Sequence, residues 1–389
     1  MKPLPISAYT ATTALGRGKA ALLDALRRGK GGLKPNDFDR AELRASIGRV
    51  AGLEDLPVTG PLAEFDCRNN RLALVGLRQD GFIEAVAKAK AKYGAQRIAL
   101  LLGTSTSGIL QTELAYRRRD AEGNLPADLR YRHAQNLYSM TDYVRGVLGL
   151  EGPAMTISTA CSSSAKVFAA ASRYLEAGIA DAAVVGGVDS LCLTTMHGFA
   201  SLQLVSDEPC RPFDAQRKGM SIGEAAGFAL LERNPTNLFL LGYGETSDAY
   251  HMSTPQPEGE GALGAMRQAL ERAGLRPKDI DYVNAHGTAT PANDRAEDRA
   301  LVRLFERRVP VSSTKGYTGH TLGAAGIVEA VVCCLAIEHG LMPATLNSRS
   351  VEPGLESQIL LENRAAPVRR ALSNSFGFGG SNCSLVFGA

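Results

Sequence analysis

The chain has 389 residues, of which 44% are hydrophobic and 21% charged, and it contains no tryptophan. This length suffices for two domain-sized halves or one large α/β unit around a substantial core. A net charge of +3 is too small to indicate a nucleic-acid-binding protein. Since no apolar run reaches the roughly 18 residues of a membrane span, we expect a protein that does not enter a membrane.

The cysteine pattern and the N-terminal segment indicate in which cellular compartment the protein is expected. The N-terminal segment lacks the apolar core and small-residue cleavage site of a secretory signal. The seven cysteines are irregularly spaced, with Cys333 and Cys334 adjacent, and no C-x-x-C spacing occurs. Such a pattern favours reduced thiols over disulfides or a metal site. We therefore expect a cytoplasmic protein without a bound metal.

In the first half, short apolar runs rich in branched residues alternate with alanine-rich segments. Strands are predicted at 97–103, 154–158, 181–187 and 227–232, with a helix at 162–177. Strand, helix and strand at this spacing are typical of a parallel sheet with crossover helices. The fold class expected is therefore α/β.

The second half repeats this order. Strands are predicted at 281–287 and 309–315, a long apolar helix at 321–339, and a glycine-rich hairpin at the end of the chain. That ending, "SNSFGFGGSNCSLVFG", resembles "GMSIGEAAGFALLE" of the first half, because each joins a glycine-rich turn to an apolar strand. The repetition indicates two similar halves, 1–233 and 234–389, with the boundary in "ERNPTN" at 232–237.

The stretch "STACSSSAKVFAAA" places Cys161 between a predicted strand and a predicted helix. Backbone N–H groups at a helix N-terminus favour an anion, so we expect a lowered thiol pKa there. The small neighbouring residues would let a substrate reach the sulfur. A buried, inert cysteine is the alternative, and this stretch alone leaves both interpretations open.

Two histidines lie at the ends of predicted elements. His286 follows a strand in "NAHGTATP", and His320 precedes the long apolar helix in "SSTKGYTGHTLGAAG". Sites in parallel α/β proteins are commonly built at such ends. The remaining histidines lack this context and are predicted to be surface or structural residues: His133, His197, His251 and His339.

Glu329 lies in a helix that is apolar on nearly every side. A carboxylate there is costly unless it is paired, and Lys315, just upstream of the helix, is the obvious partner. Such a pair is either purely structural or sets the charge near a reacting centre.

The glycine-rich segment "NSFGFGGSN" at 374–382 is not a phosphate loop, because no G-K-[ST] follows it. Its glycines would allow backbone N–H groups to face a ligand, and one of them paired with the N–H of Cys161 would form an oxyanion hole. A tight turn before the last strand is the alternative. A thiol, two imidazoles and an oxyanion hole together favour acyl transfer through a thioester.

Seven stretches, taken together, make residues 95–389 similar to elongating β-ketoacyl-acyl carrier protein synthases of the thiolase superfamily. The resemblance implies a five-layer αβαβα sandwich of two similar halves, assembled as a homodimer or as a heterodimer with a related subunit. The stretches occur in the family's order: "STACSSSAKVFAAA", "VVGGVDS", "RPFDAQRKGMSIGEAAG", "SDAYHMSTP", "YVNAHGTATPANDRAE", "SSTKGYTGHTLGAAGIVEA" and "SNSFGFGGSN".

The resemblance assigns roles to the candidate residues. Cys161 would accept the acyl chain, while His286 and His320 would serve decarboxylation of a malonyl group and condensation. Lys315 would orient the site with Glu329 as its partner.

The same resemblance implies a substrate channel. Phe378 would complete the oxyanion hole through its backbone N–H and would gate the acyl pocket. Thr288 and Thr290 fall where the family contacts the pantetheine arm, and Phe376 and Gly379 are further predicted substrate contacts. No cofactor is expected, because the substrates would be carried on the phosphopantetheine of acyl carrier protein.

Basic residues near the pocket mouth would steer an acidic carrier protein. A solvated surface is the alternative for the cluster at 117–119. The docking candidates are Arg68, Arg71, Arg117, Arg118 and Arg119.

The chain also departs from the family pattern. Ala225 stands where glycine is usual, and the connection at 232–238 is short. These departures leave primary fatty-acid elongation and specialised polyene or polyketide elongation both open. The alternative function is a non-condensing, chain-length-factor-like subunit, although the Cys161, His286 and His320 set argues against it.

Overall fold

A computed structural model describes residues 1–39, 42–234 and 236–389, and within these ranges the protein has seventeen strands and eleven α-helices. The strands are β1 Leu4–Thr13, β2 Gly16–Arg17, β3 Lys34–Pro35, β4 Ser46–Gly48, β5 Ile98–Gly103, β6 Ala154–Ile157, β7 Ala182–Asp189, β8 Ile222–Gly223, β9 Ala225–Glu232, β10 Phe239–Ser247, β11 Tyr282–Asn284, β12 Pro310–Ser312, β13 Leu341–Met342, β14 Gln358–Ile359, β15 Arg364–Ala365, β16 Arg370–Gly377 and β17 Ser381–Gly388. The helices are α1 Gly18–Arg28, α2 Arg68–Leu77, α3 Phe82–Tyr93, α4 Ile109–Tyr116, α5 Tyr138–Leu148, α6 Ser163–Glu176, α7 Leu193–Ser201, α8 Glu260–Ala273, α9 Pro291–Phe305, α10 Lys315–Thr318 and α11 Ala325–His339.

The main sheet consists of two half-sheets with the same pairing pattern. In the first, β6, β5 and β7 are parallel neighbours, and β9 and β1 continue antiparallel. In the second, β12, β11 and β16 are parallel, and β17 and β10 continue antiparallel. The start of β1 also pairs with β10, which joins the halves at one edge. The predicted repetition of an α/β half is therefore visible in the strand order.

Five layers result from this repetition. Helices α6 and α11 lie between the half-sheets and share one apolar core with residues of both. Helices α2, α3 and α5 cover the outer face of the first half-sheet, and α8 and α9 cover that of the second. The predicted αβαβα sandwich is confirmed, and the central helices bring the two candidate half-sites together.

Helix α11 is buried on every side because it lies between two sheets. Residues 325–336 are all buried, and a helix that is buried on all sides requires apolar residues around its whole circumference. The expectation that no run is long and apolar enough for a membrane span was wrong for Leu322–His339, which by length and hydropathy could cross a membrane, but 89% of this segment is buried inside the fold. Its composition is explained by the central layer.

The predicted boundary between the halves falls between β9 and β10. The chain leaves the first half-sheet at Glu232 and enters the second at Phe239. Pro235, within the predicted boundary segment, lies outside the described residues. The boundary at 233/234 stays a prediction.

Candidate active site

Cys161 lies on a tight turn between β6 and α6. The preceding residue, Ala160, has a φ of 52°, which is strained for a side chain other than glycine and is typical of functional turns. Ser163 holds the turn: its hydroxyl donates to the carbonyl of Ala160 at 2.6 Å. Gly377 of the C-terminal hairpin approaches so closely that a Cβ there would lie 2.6 Å from the carbonyl oxygen of Thr159. The turn therefore presents the thiol where the two halves meet.

The thiol of Cys161 contacts the imidazole of His320, with 2.9 Å between Sγ and Nε2. Burial lowers the pKa of His320 well below its usual range, and the nearby Lys315 cation lowers it further. Burial also raises the pKa of Cys161 to about 12, although Lys315 and the backbone N–H of Phe378 oppose this. The expectation of a lowered thiol pKa was wrong, because burial outweighs the Lys315 cation and the Phe378 N–H. The resting pair is a neutral thiol beside a neutral imidazole.

His286 lies beside His320, with ring centroids 5.3 Å apart in an edge-to-face arrangement. The ammonium of Lys315 is 3.3 Å from Nδ1 of His286 and donates to its carbonyl oxygen at 2.5 Å. Because an ammonium can only donate, Nδ1 must accept, and the ring proton is on Nε2. Burial lowers the pKa of His286 well below its usual range. His286 is therefore a neutral N–H donor.

The structure pairs Lys315 with Glu329 in a direct, fully buried contact. The second carboxylate oxygen of Glu329 accepts the hydroxyl of Ser375 at 3.2 Å. Burial raises the pKa of Glu329, and Lys315 lowers it. Neither side chain lines the cavity that holds Cys161, His286 and His320. Lys315 therefore does not touch a substrate there: it contacts His286 directly, and its charge also lowers the pKa of Cys161 and His320.

Glu297 on α9 also supports His286 and was not predicted from the sequence. Its carboxylate accepts the backbone N–H groups of His286 and Gly287, each at 2.8 Å, and the amide of Asn374 at 3.1 Å. Burial raises its pKa to about 7. The surrounding "PANDRAEDRA" has the composition of an exposed helix, so only the packing shows that this acid is internal.

Asp189, at the end of β7, was also missed. It accepts hydrogen bonds from the hydroxyl of Thr104 at 2.6 Å, the backbone N–H of Thr106 at 2.8 Å and the N–H of Gly323 at 2.5 Å. Gly323 lies three residues after His320, so Asp189 ties a first-half loop to the segment that carries the second-half histidine. Asp189 could have been identified from the sequence as a site residue, because it is a polar residue directly after the apolar run "AAVVGGV" of a predicted strand.

A cavity of about 330 Å³ leads to Cys161, His286 and His320. The four predicted substrate contacts and the predicted gate all line it: Thr288, Thr290, Phe376, Gly379 and Phe378. The hydroxyls of the two threonines are within 2.8 Å of each other. The structure thus brings every one of these residues to one cavity.

Phe378 contributes to the cavity in two ways. Its backbone N–H faces the sulfur of Cys161, and its ring lies 5.5 Å from the ring of Phe199 on α7. The adjacent Gly379 has a φ of 80°, a conformation that favours glycine. This turn aims a backbone donor at the reacting sulfur.

Several other residues that line the cavity were not predicted. Leu202, Leu204 and Met220 form an apolar part of the wall, and His251 lies on the rim. Two backbone N–H groups donate to Nδ1 of His251, each at 3.2 Å. His251 is exposed, which agrees with its prediction as a surface or structural residue, but it also lines the cavity, because the loop at 248–254 forms part of the cavity wall. The stretch "SDAYHMSTP" was among those that carried the resemblance, but no role was predicted for its histidine.

The docking prediction is wrong for Arg68. Its guanidinium is buried and forks onto Glu224 at 2.9 and 2.6 Å, with a further bond to Glu54 at 2.5 Å. Arg71 is half-buried, and its guanidinium donates two hydrogen bonds to the carboxylate of Asp66, at 2.7 and 2.6 Å. The N-terminus of α2 faces the interior, so these charges are satisfied within the protein.

The other three docking candidates are exposed. Arg117 pairs with Asp39 at 2.8 Å and Arg118 pairs with Asp128 at 2.9 Å, while Arg119 stacks on the ring of Tyr116. None of the three lines the cavity. They follow α4, which packs on α7, the helix that leads to the cavity wall. Carrier docking there stays a prediction.

Comparisons with known proteins place this geometry in a family. The model of the β-ketoacyl synthase N-terminal domain matches residues 1–237, and that of the C-terminal domain matches residues 239–349. The chain belongs to the β-ketoacyl synthase family. The resemblance predicted from the seven sequence stretches is confirmed.

Two curated relatives carry the name 3-oxoacyl-[acyl-carrier-protein] synthase. One, synthase 2 of Rhizobium meliloti (strain 1021), is 43% identical over 259 residues, which cover 61% of this chain and 61% of the relative. The mitochondrial synthase of Arabidopsis thaliana is 41% identical over 262 residues, which cover 61% of this chain and 57% of the relative. This chain thus spans about three fifths of the length of these relatives.

Among solved structures, a chain from the ketosynthase ApeO in complex with its chain length factor ApeC, from Xenorhabdus doucetiae, has a similar fold. It superimposes with a TM-score of 0.92 at 37% identity, over 100% of this chain and 98% of that chain. The likeness extends over both half-sheets and therefore includes both parts of the site.

Proposed function

We propose that this protein is a condensing β-ketoacyl-acyl carrier protein synthase. It would take an acyl group onto Cys161 and then join it to a malonyl group by decarboxylative Claisen condensation. The observation that carries the proposal is the 2.9 Å contact between Cys161 and His320, with a second neutral imidazole, that of His286, on the same cavity.

Acyl loading follows from the neutral thiol–imidazole pair. Nε2 of His320 removes the thiol proton as Sγ of Cys161 attacks the carbonyl carbon of the acyl thioester. The backbone N–H groups of Cys161 and Phe378 stabilise the oxyanion of the tetrahedral intermediate. Its collapse breaks the bond to the pantetheine sulfur, which leaves as a thiolate and takes the proton from His320.

Condensation uses the imidazoles as donors. The malonyl thioester loses CO₂, and the electron pair of the broken C–C bond forms an enolate whose oxygen accepts the Nε2–H of His286. His320 can supply a second N–H from Nε2, because acylation removes the thiol proton that Nε2 accepts at rest, and its Nδ1 has no hydrogen-bond partner among the described residues. The enolate carbon attacks the acyl carbonyl on Cys161. Collapse of this second intermediate releases the Cys161 thiolate, which regains a proton, and leaves a β-ketoacyl thioester on the carrier.

The proposed substrates are bound to acyl carrier protein, and this chemistry requires no separate cofactor. The likeness to a chain from a ketosynthase–chain length factor complex supports a dimer, either of two copies or with a related subunit. All seven cysteines are buried and unpaired, which supports a reducing compartment such as the cytoplasm.

Intact-protein mass spectrometry tests the proposal. The protein is incubated with acyl-carrier proteins of several chain types, beside the variants Cys161→Ala and Cys383→Ala. We expect the acyl mass on the wild type and on Cys383→Ala, whose cysteine is buried in β17, but not on Cys161→Ala. Malonyl-carrier protein should then release a β-ketoacyl product and CO₂.

A different result would contradict the proposal. If no acyl chain is taken up, alone or with a related subunit present, the protein is a non-condensing subunit. The same holds if acylation persists in Cys161→Ala. The chain type that loads fastest would identify the substrate class.

A further inference from the structure

The three reacting side chains also form a set of potential metal ligands. One donor atom each from Cys161, His286 and His320 lies within 4.8 Å of the others, and all three side chains are buried at the end of an open cavity. A thiolate with two imidazoles is a ligand set that Zn²⁺ prefers, with the fourth position left to solvent. A zinc ion bound there would occupy the sulfur that must accept a substrate.

We propose that Lys315 prevents a metal ion from binding at this cluster. Its ammonium is 3.3 Å from Nδ1 of His286 and donates to the carbonyl oxygen of the same residue. Nδ1 is therefore occupied, and Nε2 carries the ring proton. A protonated nitrogen has no lone pair, so His286 cannot ligate a metal while Lys315 is in place.

Charge adds to this exclusion. A dication at the cluster would lie close to the Lys315 ammonium in a buried site, where like charges repel strongly. Glu329 offsets the lysine charge, but the described contacts of its carboxylate are with the lysine and the hydroxyl of Ser375, and not with the imidazole. The pair is thus arranged so that the cation, and not the carboxylate, faces the imidazole.

Removal of the lysine would permit the reverse arrangement. The His286 proton would move from Nε2 to Nδ1, and the Nε2 lone pair would then bind the metal. Cys161 would release its thiol proton to solvent, and His320 would bind through Nε2. Metal uptake would therefore release one proton for each ion bound.

The main test uses a variant that leaves no unpaired buried charge. Lys315→Met alone would strand Glu329, so the test variant combines Lys315→Met with Glu329→Leu, a replacement of a buried pair by apolar residues of similar size. Zn²⁺ affinity is measured by competition with a chromophoric chelator, and Co²⁺ serves as a spectroscopic probe for thiolate ligation.

We expect the double variant to bind Zn²⁺ at least about 100-fold more tightly than the wild type. Co²⁺ should produce thiolate-to-metal absorption in the double variant only, and this absorption should disappear when Cys161→Ala is added. Lys315→Arg retains a cationic donor and should behave as the wild type. Lys166→Met removes a partly buried lysine paired with Glu245 elsewhere, and should not create a site.

Several results would overturn the inference. These are equal Zn²⁺ affinity in wild type and double variant, metal binding that survives Cys161→Ala, and a ¹⁵N NMR spectrum of the wild type that places the His286 proton on Nδ1. None of these measurements depends on condensation, so a failure of the proposed activity would be seen separately.

Discussion

Two buried ion pairs in this protein have similar chemistry and different surroundings. The guanidinium of Arg68 donates to Glu224, whose oxygens also accept backbone N–H groups. None of these described hydrogen bonds involves a residue that lines the cavity. Lys315 is paired with Glu329 but also donates to His286, which lines the cavity. The difference shows that a buried ion pair can influence the active site directly when one of its members contacts a residue that lines the cavity, as Lys315 contacts His286.

A third buried carboxylate extends the comparison. The described hydrogen bonds of Glu297 come from two backbone N–H groups and one amide. Without a paired cation, burial raises its pKa to about 7. Three buried acids thus have three kinds of partner, and each predicts a different response to substitution.

The largest expected effect is on condensation. Lys315→Met combined with Glu329→Leu, which leaves no unpaired buried carboxylate, removes the donor that keeps the His286 proton on Nε2, so the enolate loses a fixed hydrogen bond. We expect the condensation rate to fall by about 10²–10³-fold, while acyl loading of Cys161 changes by less than about tenfold. Product formation and acyl-enzyme formation are followed separately by mass spectrometry. Equal losses in both steps would show that Lys315 does not act through His286.

The next effect is on stability. Arg68→Met leaves Glu224 charged and buried, so the free energy of unfolding should fall by about 3–5 kcal/mol. The acyl loading rate of the folded protein should stay as in the wild type, because neither residue faces the cavity. Urea unfolding measures the first quantity. The matched control, Arg68→Met with Glu224→Gln, removes the buried charge and keeps a side-chain oxygen for the backbone N–H groups, so it should recover part of the stability. A loss of loading in folded Arg68→Met would contradict the comparison.

Glu297 should make stability depend on pH. Its folded pKa, about 7, lies above the model-peptide value of 4.5, so the unfolded chain releases this proton first. The resulting contribution is fully present below pH 4.5, decreases as the pH rises to about 7, and amounts to roughly 3 kcal/mol. In Glu297→Gln this decrease should be absent from urea unfolding measured at several pH values. An unchanged pH profile in the variant would assign the dependence to another group.

The smallest effect concerns an exposed cation. Arg119 stacks on the ring of Tyr116 at the end of α4. Arg119→Glu should change the free energy of unfolding by no more than about 0.5 kcal/mol. If this surface docks a carrier protein, the rate with carrier-bound substrate should fall several-fold at low salt and recover at high salt. An unchanged rate at low salt would remove Arg119 from the docking surface.

Strand and helix positions were predictable because their signal is local. The runs at 97–103 and 181–187 alternate with an alanine-rich helix, and β5, β7 and α6 formed there. Glu329 was singled out because an acid in an apolar helix needs a partner. Arg68 and Glu297 were misjudged or missed, since a charged residue in a polar stretch looks the same whether it is exposed or internal.

The sequence by itself determined the α/β order, the repetition of two halves, and the residues at the ends of strands and helices where a thiol and two imidazoles could meet. These follow from hydrophobic periodicity and motif, which act over a few residues. Only the tertiary structure decided which charges are buried, that the Cys161 thiol is protonated at rest, and that Lys315 sets the tautomer of His286. Those properties depend on desolvation and on contacts between residues far apart in the chain, and both arise only when the two half-sheets close around the central helices.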